Sequence, residues 1–215
     1  MRLLILYKKP RLYQYLYLIF DILYGSVPEI TNTYKEKNTM RIDDKQSNYE
    51  AAETLYLKAL EMRKKLLGEE HPNIAASLNN LAELYRAQGR YEEAEPLYLQ
   101  ALKIGKKLLG EEHPNVATNL NNLAALYYNQ RKYKAAETLY LEALEMRKKL
   151  IGEKHPDTAL NLWWLGFLYN KQKKYSEAKP LYQEALKIYK KTIGETHSNT
   201  INCQKEYEEL INSEY

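Results

Sequence analysis

The sequence predicts an all-α solenoid of stacked helix pairs, and three observations lead there. A stretch of residues 71–112 recurs with changes along most of the 215-residue chain. Its step is fixed at 42, since His71, His113, His155 and His197 keep it, as do Gly68, Gly110, Gly152 and Gly194. Each unit also carries two amphipathic stripes at helical spacing, and glycine is scarce at 8 residues. One helical hairpin cannot bury its own apolar face, so neighbouring units must stack.

In the first helix of a unit, Ile74, Leu78, Leu81 and Tyr85 step by 4, 3 and 4 along one face. Pro72, Pro114 and Pro156 sit just before this pattern. Proline suits a first helical position, where its missing N–H would be unpaired anyway. Gly89 ends the first helix, whereas Arg131-Lys132 and Lys173-Lys174 make a less ideal stop later. The second helix runs from Tyr91 to Leu109, with Ala94, Leu97, Tyr98, Ala101, Leu102 and Leu108 on its apolar face. Glu92 and Glu93 at its start and Lys106 and Lys107 at its end match the helix dipole. Pro96 and Pro180, about a turn inside, call for a local adjustment.

Small residues recur where helices would cross closely: Ala82, Ala124 and Gly166; Ala94, Ala136 and Ala178; Ala101, Ala143 and Ala185. This register gives pairs over 72–109, 114–151 and 156–193. An orphan second helix over 49–67 precedes them and a capping helix over 198–212 follows. On the last helix Gln204 and Glu208 replace Leu78 and Ala82, a polar face suited to an array's end.

Residues 1–48 lie outside the repeat. Leu12, Leu16, Ile19 and Leu23 share one helix face within an apolar stretch over 12–24 that contains Asp21. That stretch is short of the roughly 20 residues a membrane span needs. A helix lying over the open end of the array is favoured above a membrane-associated segment. Residues 25–48 read as a polar linker or a decayed first helix, because Thr39 and Asp43 stand where Leu81 and Tyr85 would be.

Charge and cysteine content narrow the function. Residues 1–48 carry 8 basic and 5 acidic side chains, and the remaining 24 and 23 leave the repeats at +1. Near-neutral repeats argue against nucleic acid as a partner. Lys64, Lys106, Lys148 and Lys190, each followed by another lysine, could meet phosphates, but Glu69, Glu111, Glu153 and Glu195 keep the same step. A basic face for nucleic acid or acidic membrane is therefore the alternative, with self-association through 49–67 as a third. One cysteine, Cys203, fits a reducing, cytoplasmic setting. The histidines lie one repeat apart, too far to share a metal ion, and read as turn residues. No phosphate-cradling glycine loop, nucleophile elbow or supported paired-carboxylate site is present, so no enzyme and no cofactor is expected.

Leu81, Ala82, Tyr85, Gly89, Tyr91, Ala94, Tyr98 and Ala101 resemble the tetratricopeptide signature. The 42-residue unit, with LNNLA at 78–82 and LGEEHPN at 67–73, is similar to the kinesin light chain subtype. The resemblance implies a right-handed superhelix whose first helices line a groove for extended peptides. Motor attachment does not follow, because no sustained heptad precedes the repeats. By resemblance the groove positions are Ala76, Asn79, Asn80, Glu83 and Arg86, then Thr118, Asn121, Asn122, Ala125 and Tyr128. In the third pair they are Leu160, Trp163, Trp164, Phe167 and Asn170. An amide both donates and accepts, so asparagine can pair with any peptide backbone. Trp163 and Trp164 are either binding anchors or filling against the capping helix, with at least one open to the groove.

Overall fold

The computed structural model describes residues 42–213, and the expected helix over 12–24 lies outside them. Eight helices and no strands make up the described residues. By compactness the chain divides between Glu69 and Glu70. The first unit holds α1 (Ile42–Leu67), which starts ahead of the expected Tyr49. The end of the segment read as linker or decayed helix is therefore helical: Asp43 interrupts the apolar pattern but does not stop a helix continuous with 49–67.

The second unit holds α2 (Pro72–Ala87), α3 (Tyr91–Leu109), α4 (Pro114–Asn129), α5 (Tyr133–Ile151), α6 (Pro156–Lys171), α7 (Tyr175–Thr192) and α8 (Ser198–Ser213). Helices pack in the pairs α2–α3, α4–α5 and α6–α7, and each second helix packs on the next first helix, ending at α8. This is the stacked α-solenoid that the repeat demands. First helices touch along the stack, α2 on α4 and α6 on α8, more closely than second helices do. We call the first-helix side of this unit its inner wall.

The first-helix starts share one device. His71, His113 and His155 cap α2, α4 and α6, each Nδ1 accepting from the backbone N–H two residues on at 3.1 Å. His197 Nδ1 accepts from Asn199 N in the same way, also at 3.1 Å. The histidine step is therefore explained by helix capping. At the first-helix ends Gly89 takes a φ of 77°, and Arg131 and Lys173 take 60° and 61° in its place. Those two side chains occupy the left-handed region that glycine enters freely, so they stop α4 and α6 under strain. Pro96 and Pro180 stay inside unbroken helices.

The residues expected at close crossings are sealed from solvent: Ala82, Ala124, Ala94, Ala136, Ala178, Ala101, Ala143 and Ala185 are all 0 % exposed. A Cβ on Gly166 would lie 3.3 Å from both Leu181 Cβ and Tyr182 Cδ2, so α6 meets α7 too tightly for an easy alanine. Cys203 is fully rather than half buried, and burial pushes its thiol up to about 12. It packs in the core with Leu210 and Tyr189. On the polar face of α8, Gln204 Nε2 donates to Glu208 Oε1 at 2.8 Å.

Candidate functional site

The inner wall of α2, α4 and α6 changes character along the stack. At α2 it is polar. Arg86 donates to Glu83 from Nε at 2.8 Å and from Nη2 at 2.5 Å, and Tyr98 Oη donates to the same carboxylate at 2.8 Å. Burial alone would lower the Arg86 pKa, but the facing Glu83 carboxylate raises it overall. The pair is therefore self-neutralised.

At α4 and α6 the wall becomes aromatic. Tyr128 and Phe167 rings lie 5.3 Å apart, and Trp164 meets Phe167 edge-on at 5.8 Å and 88°. Trp163 stacks on Trp164 at 5.9 Å and 16°. Lys171 Nζ stands 5.0 Å above the Phe167 ring. Tyr128, Trp164, Phe167 and Asn170 are each half-buried, so ring edges and faces remain open.

The two tryptophans separate. Trp163 is 8 % exposed, and its Nε1 donates to Glu206 Oε2 on α8 at 2.7 Å. It fills space against the capping helix, and Trp164 is the one left on the wall. Burial raises the Glu206 pKa, and the hydrogen bonds from Trp163 and Tyr182 oppose that rise.

The asparagines separate too. Asn79 Nδ2 donates to Asn119 Oδ1 at 2.5 Å, from α2 to α4. Asn161 Nδ2 donates to Asn121 Oδ1 at 2.9 Å, from α6 to α4. Both bonds span 40 residues and tie first helices together, with Asn121 buried. Asn80 is exposed and Asn122 half-buried, and their side-chain amides have no partner among the described residues.

Sequence reasoning did not single out the polar groups beneath the wall. Arg147 is buried, and it donates to Asp157 O at 2.8 Å, Asn161 Oδ1 at 2.6 Å and Thr118 Oγ1 at 3.1 Å. Burial among neutral acceptors lowers its pKa. The signal was present, since charged and amide residues interrupt otherwise apolar helix faces at 119, 147 and 161.

Among the described residues much of the lysine series is locally neutralised, Lys190 and Lys191 excepted. Lys106 meets Glu111 at 2.8 Å, Lys149 meets Glu112 at 2.5 Å, and Lys107 pairs with Glu70. No group of three or more metal-binding side chains occurs among the described residues, and none of their helices is long and apolar enough to cross a membrane.

The family model of the tetratricopeptide repeat matches residues 45–107, 74–149, 115–191 and 157–208. The solved structure of BtubC (BKLC) from P. vanneervenii is similar at 30 % identity and a TM-score of 0.66, over 78 % of this chain and 67 % of that one. A kinesin light chain-like protein from Podosopora anserina, built of nearly identical TPR-like repeats, is similar at 25 % identity. Its two structures give TM-scores of 0.64 and 0.63, over 79 % of this chain and 80 % and 81 % of theirs. No curated protein matches the sequence at a significant level. Repeats of this kind generally form non-catalytic scaffolds for protein–protein interaction. The chain belongs to the tetratricopeptide repeat family.

Proposed function

We propose that the chain is a non-catalytic, cytoplasmic scaffold that holds an extended peptide segment of a partner protein along the inner wall of α2, α4 and α6. The half-open aromatic run of Tyr128, Phe167 and Trp164 carries this reading. Aromatic side chains held rigid by neighbours anchor partners at low entropic cost. Asn80 and Asn122 supply unengaged amides on the same wall, able to pair with a peptide backbone. Asn79, Asn121 and Trp163 act indirectly, by fixing the spacing of the first helices and the seat of Trp164. Glu83 and Arg86 form a polar boundary at the α2 end, and Asn170 closes the α6 end.

Trp164→Ala with Asn122→Ala is the test, because both side chains are only half-buried. Dodecapeptides selected from a random phage-displayed library on the parent chain serve as probes. Binding at least tenfold weaker by fluorescence anisotropy, with unchanged circular dichroism, is the expected result. Equal binding by variant and parent would reject the wall as the site. Pairing of Lys106, Lys107 and Lys149 with carboxylates disfavours a phosphate-binding face, which a steep loss of peptide binding with salt would revive.

A further inference from the structure

Three tyrosines keep the 42-residue step on the second helices. Tyr98, Tyr140 and Tyr182 are 0 %, 1 % and 0 % exposed. Two of their hydroxyls end on glutamates. Tyr98 donates to Glu83, on the first helix of its own pair, at 2.8 Å. Tyr182 donates to Glu206, on the next first helix, at 3.4 Å.

Tyr140 lies between them in the stack and has neither carboxylate. One step on from Glu83 stands Ala125 (83 + 42), and one step back from Glu206 stands Trp164 (206 − 42). Its ring belongs to the buried cluster against which Tyr128, Trp164 and Phe167 pack. No described residue accepts a hydrogen bond from its hydroxyl. On a side chain only 1 % exposed that oxygen keeps at most a sliver of open surface, whereas the oxygen of Tyr189 is fully enclosed without a partner. A buried ring with an unsatisfied but reachable donor is matched to an acceptor brought from outside.

We propose that the Tyr140 hydroxyl is a specificity-determining donor in the wall, and that it binds a main-chain carbonyl oxygen of the peptide segment lying across α4 and α6. This rests on the groove reading above. A neutral acceptor is favoured over a carboxylate by the surrounding charges. The charged side chains whose fields reach Tyr140 are Arg86 and Glu83, and these already pair with each other, so neither is left to draw a carboxylate to that hydroxyl. The other nearby group is the Tyr128 phenol. Burial raises the Tyr140 pKa, so it stays a donor throughout the ordinary pH range. The bond sets the depth of the peptide in mid-wall, and Trp164 supplies the apolar contact.

The test uses the same library-selected dodecapeptides, now with Tyr140→Phe. Binding falls about fivefold, the size of one neutral hydrogen bond. The melting temperature of the free chain does not fall, since no internal bond is lost. Tyr98→Phe gives the contrast, because it breaks the bond to Glu83 and lowers the melting temperature. Replacing peptide amides by esters, one at a time, weakens binding to the parent at one position and not to Tyr140→Phe at that position.

Peptides that depend on Trp164 yet bind Tyr140→Phe as tightly as the parent overturn this proposal and leave the groove reading standing. A lowered melting temperature in Tyr140→Phe reveals an internal partner and also overturns it. So does a Tyr140→Phe deficit that vanishes when a peptide Asp or Glu is changed to its amide, since the acceptor is then a carboxylate. If no selected peptide depends on Trp164, the groove reading fails and this proposal fails with it.

Discussion

The seam between α4 and α6 and the seam between α6 and α8 occupy the same places in the repeat, yet they are held by different chemistry. At the first, Asn121, Arg147 and Asn161 form a buried polar network joined to Thr118 and to the backbone of Asp157. One step of 42 converts those three residues into Trp163, Tyr189 and Cys203. At the second seam the indole edge of Trp163 meets the Tyr189 ring at 6.3 Å and 87°, and one outside acceptor, Glu206, satisfies its N–H. A polar network spreads its hydrogen bonds over several helices, whereas an aromatic plug needs volume and a single acceptor. The backbone stride accommodates both, which is why the wall can turn from amide to aromatic within one array.

Removing the plug has the largest expected effect. Trp163→Ala leaves a cavity and a half-buried Glu206 without its best donor, and costs about 3–5 kcal/mol, read by chemical denaturation. A loss below about 1 kcal/mol would mean that α8 is held elsewhere. Next comes Asn161→Ala at the polar seam. It orphans Asn121 Oδ1 and removes one acceptor from Arg147, so about 2–3 kcal/mol is lost. A smaller loss there than at Tyr189 would erase the distinction between the seams.

Tyr189→Phe goes the other way. The hydroxyl is enclosed with no partner, so deleting it is neutral or stabilises by up to about 1 kcal/mol. A clear drop in melting temperature would disclose a hidden bond at that seam.

The smallest effect is a pH dependence. The folded chain raises the Glu206 pKa above its ordinary 4.5, so it holds that proton more tightly than the unfolded chain does. Glu206 therefore contributes stability below about pH 4.5 that is lost as pH rises through the raised value. Glu206→Gln keeps a carbonyl acceptor for Trp163 without the charge. Its melting temperature should gain on the parent between pH 4 and pH 7. Parallel curves would show that the carboxylate carries no burial penalty.

Much of the fold was legible because the repeat states it several times. Pro72, Pro114 and Pro156 each open a helix where expected, and Tyr91 opens α3 as expected. The site was less legible, for reasons that lie in geometry. The interhelical amide bonds join residues 40 apart, so each links two different positions of the repeat, and a 42-residue register cannot reveal that pairing. Trp163 and Trp164 are neighbours in sequence but point about 100° apart on a helix, and only the packing of α8 decides which one is covered. Tyr98, Tyr140 and Tyr182 read as core residues, which they are. Their hydroxyls gain meaning only when the glutamates at 83 and 206 are seen beside them.

The central claim is that a guest segment lies against Trp164. The chain has two tryptophans, so Trp163→Phe leaves Trp164 as its sole indole. Titrating that variant with a selected dodecapeptide, while anisotropy follows binding, is the direct measurement. A blue shift and altered intensity of Trp164 emission that saturate together with binding are predicted. Saturated binding with an unchanged Trp164 spectrum would place the peptide elsewhere and contradict the account.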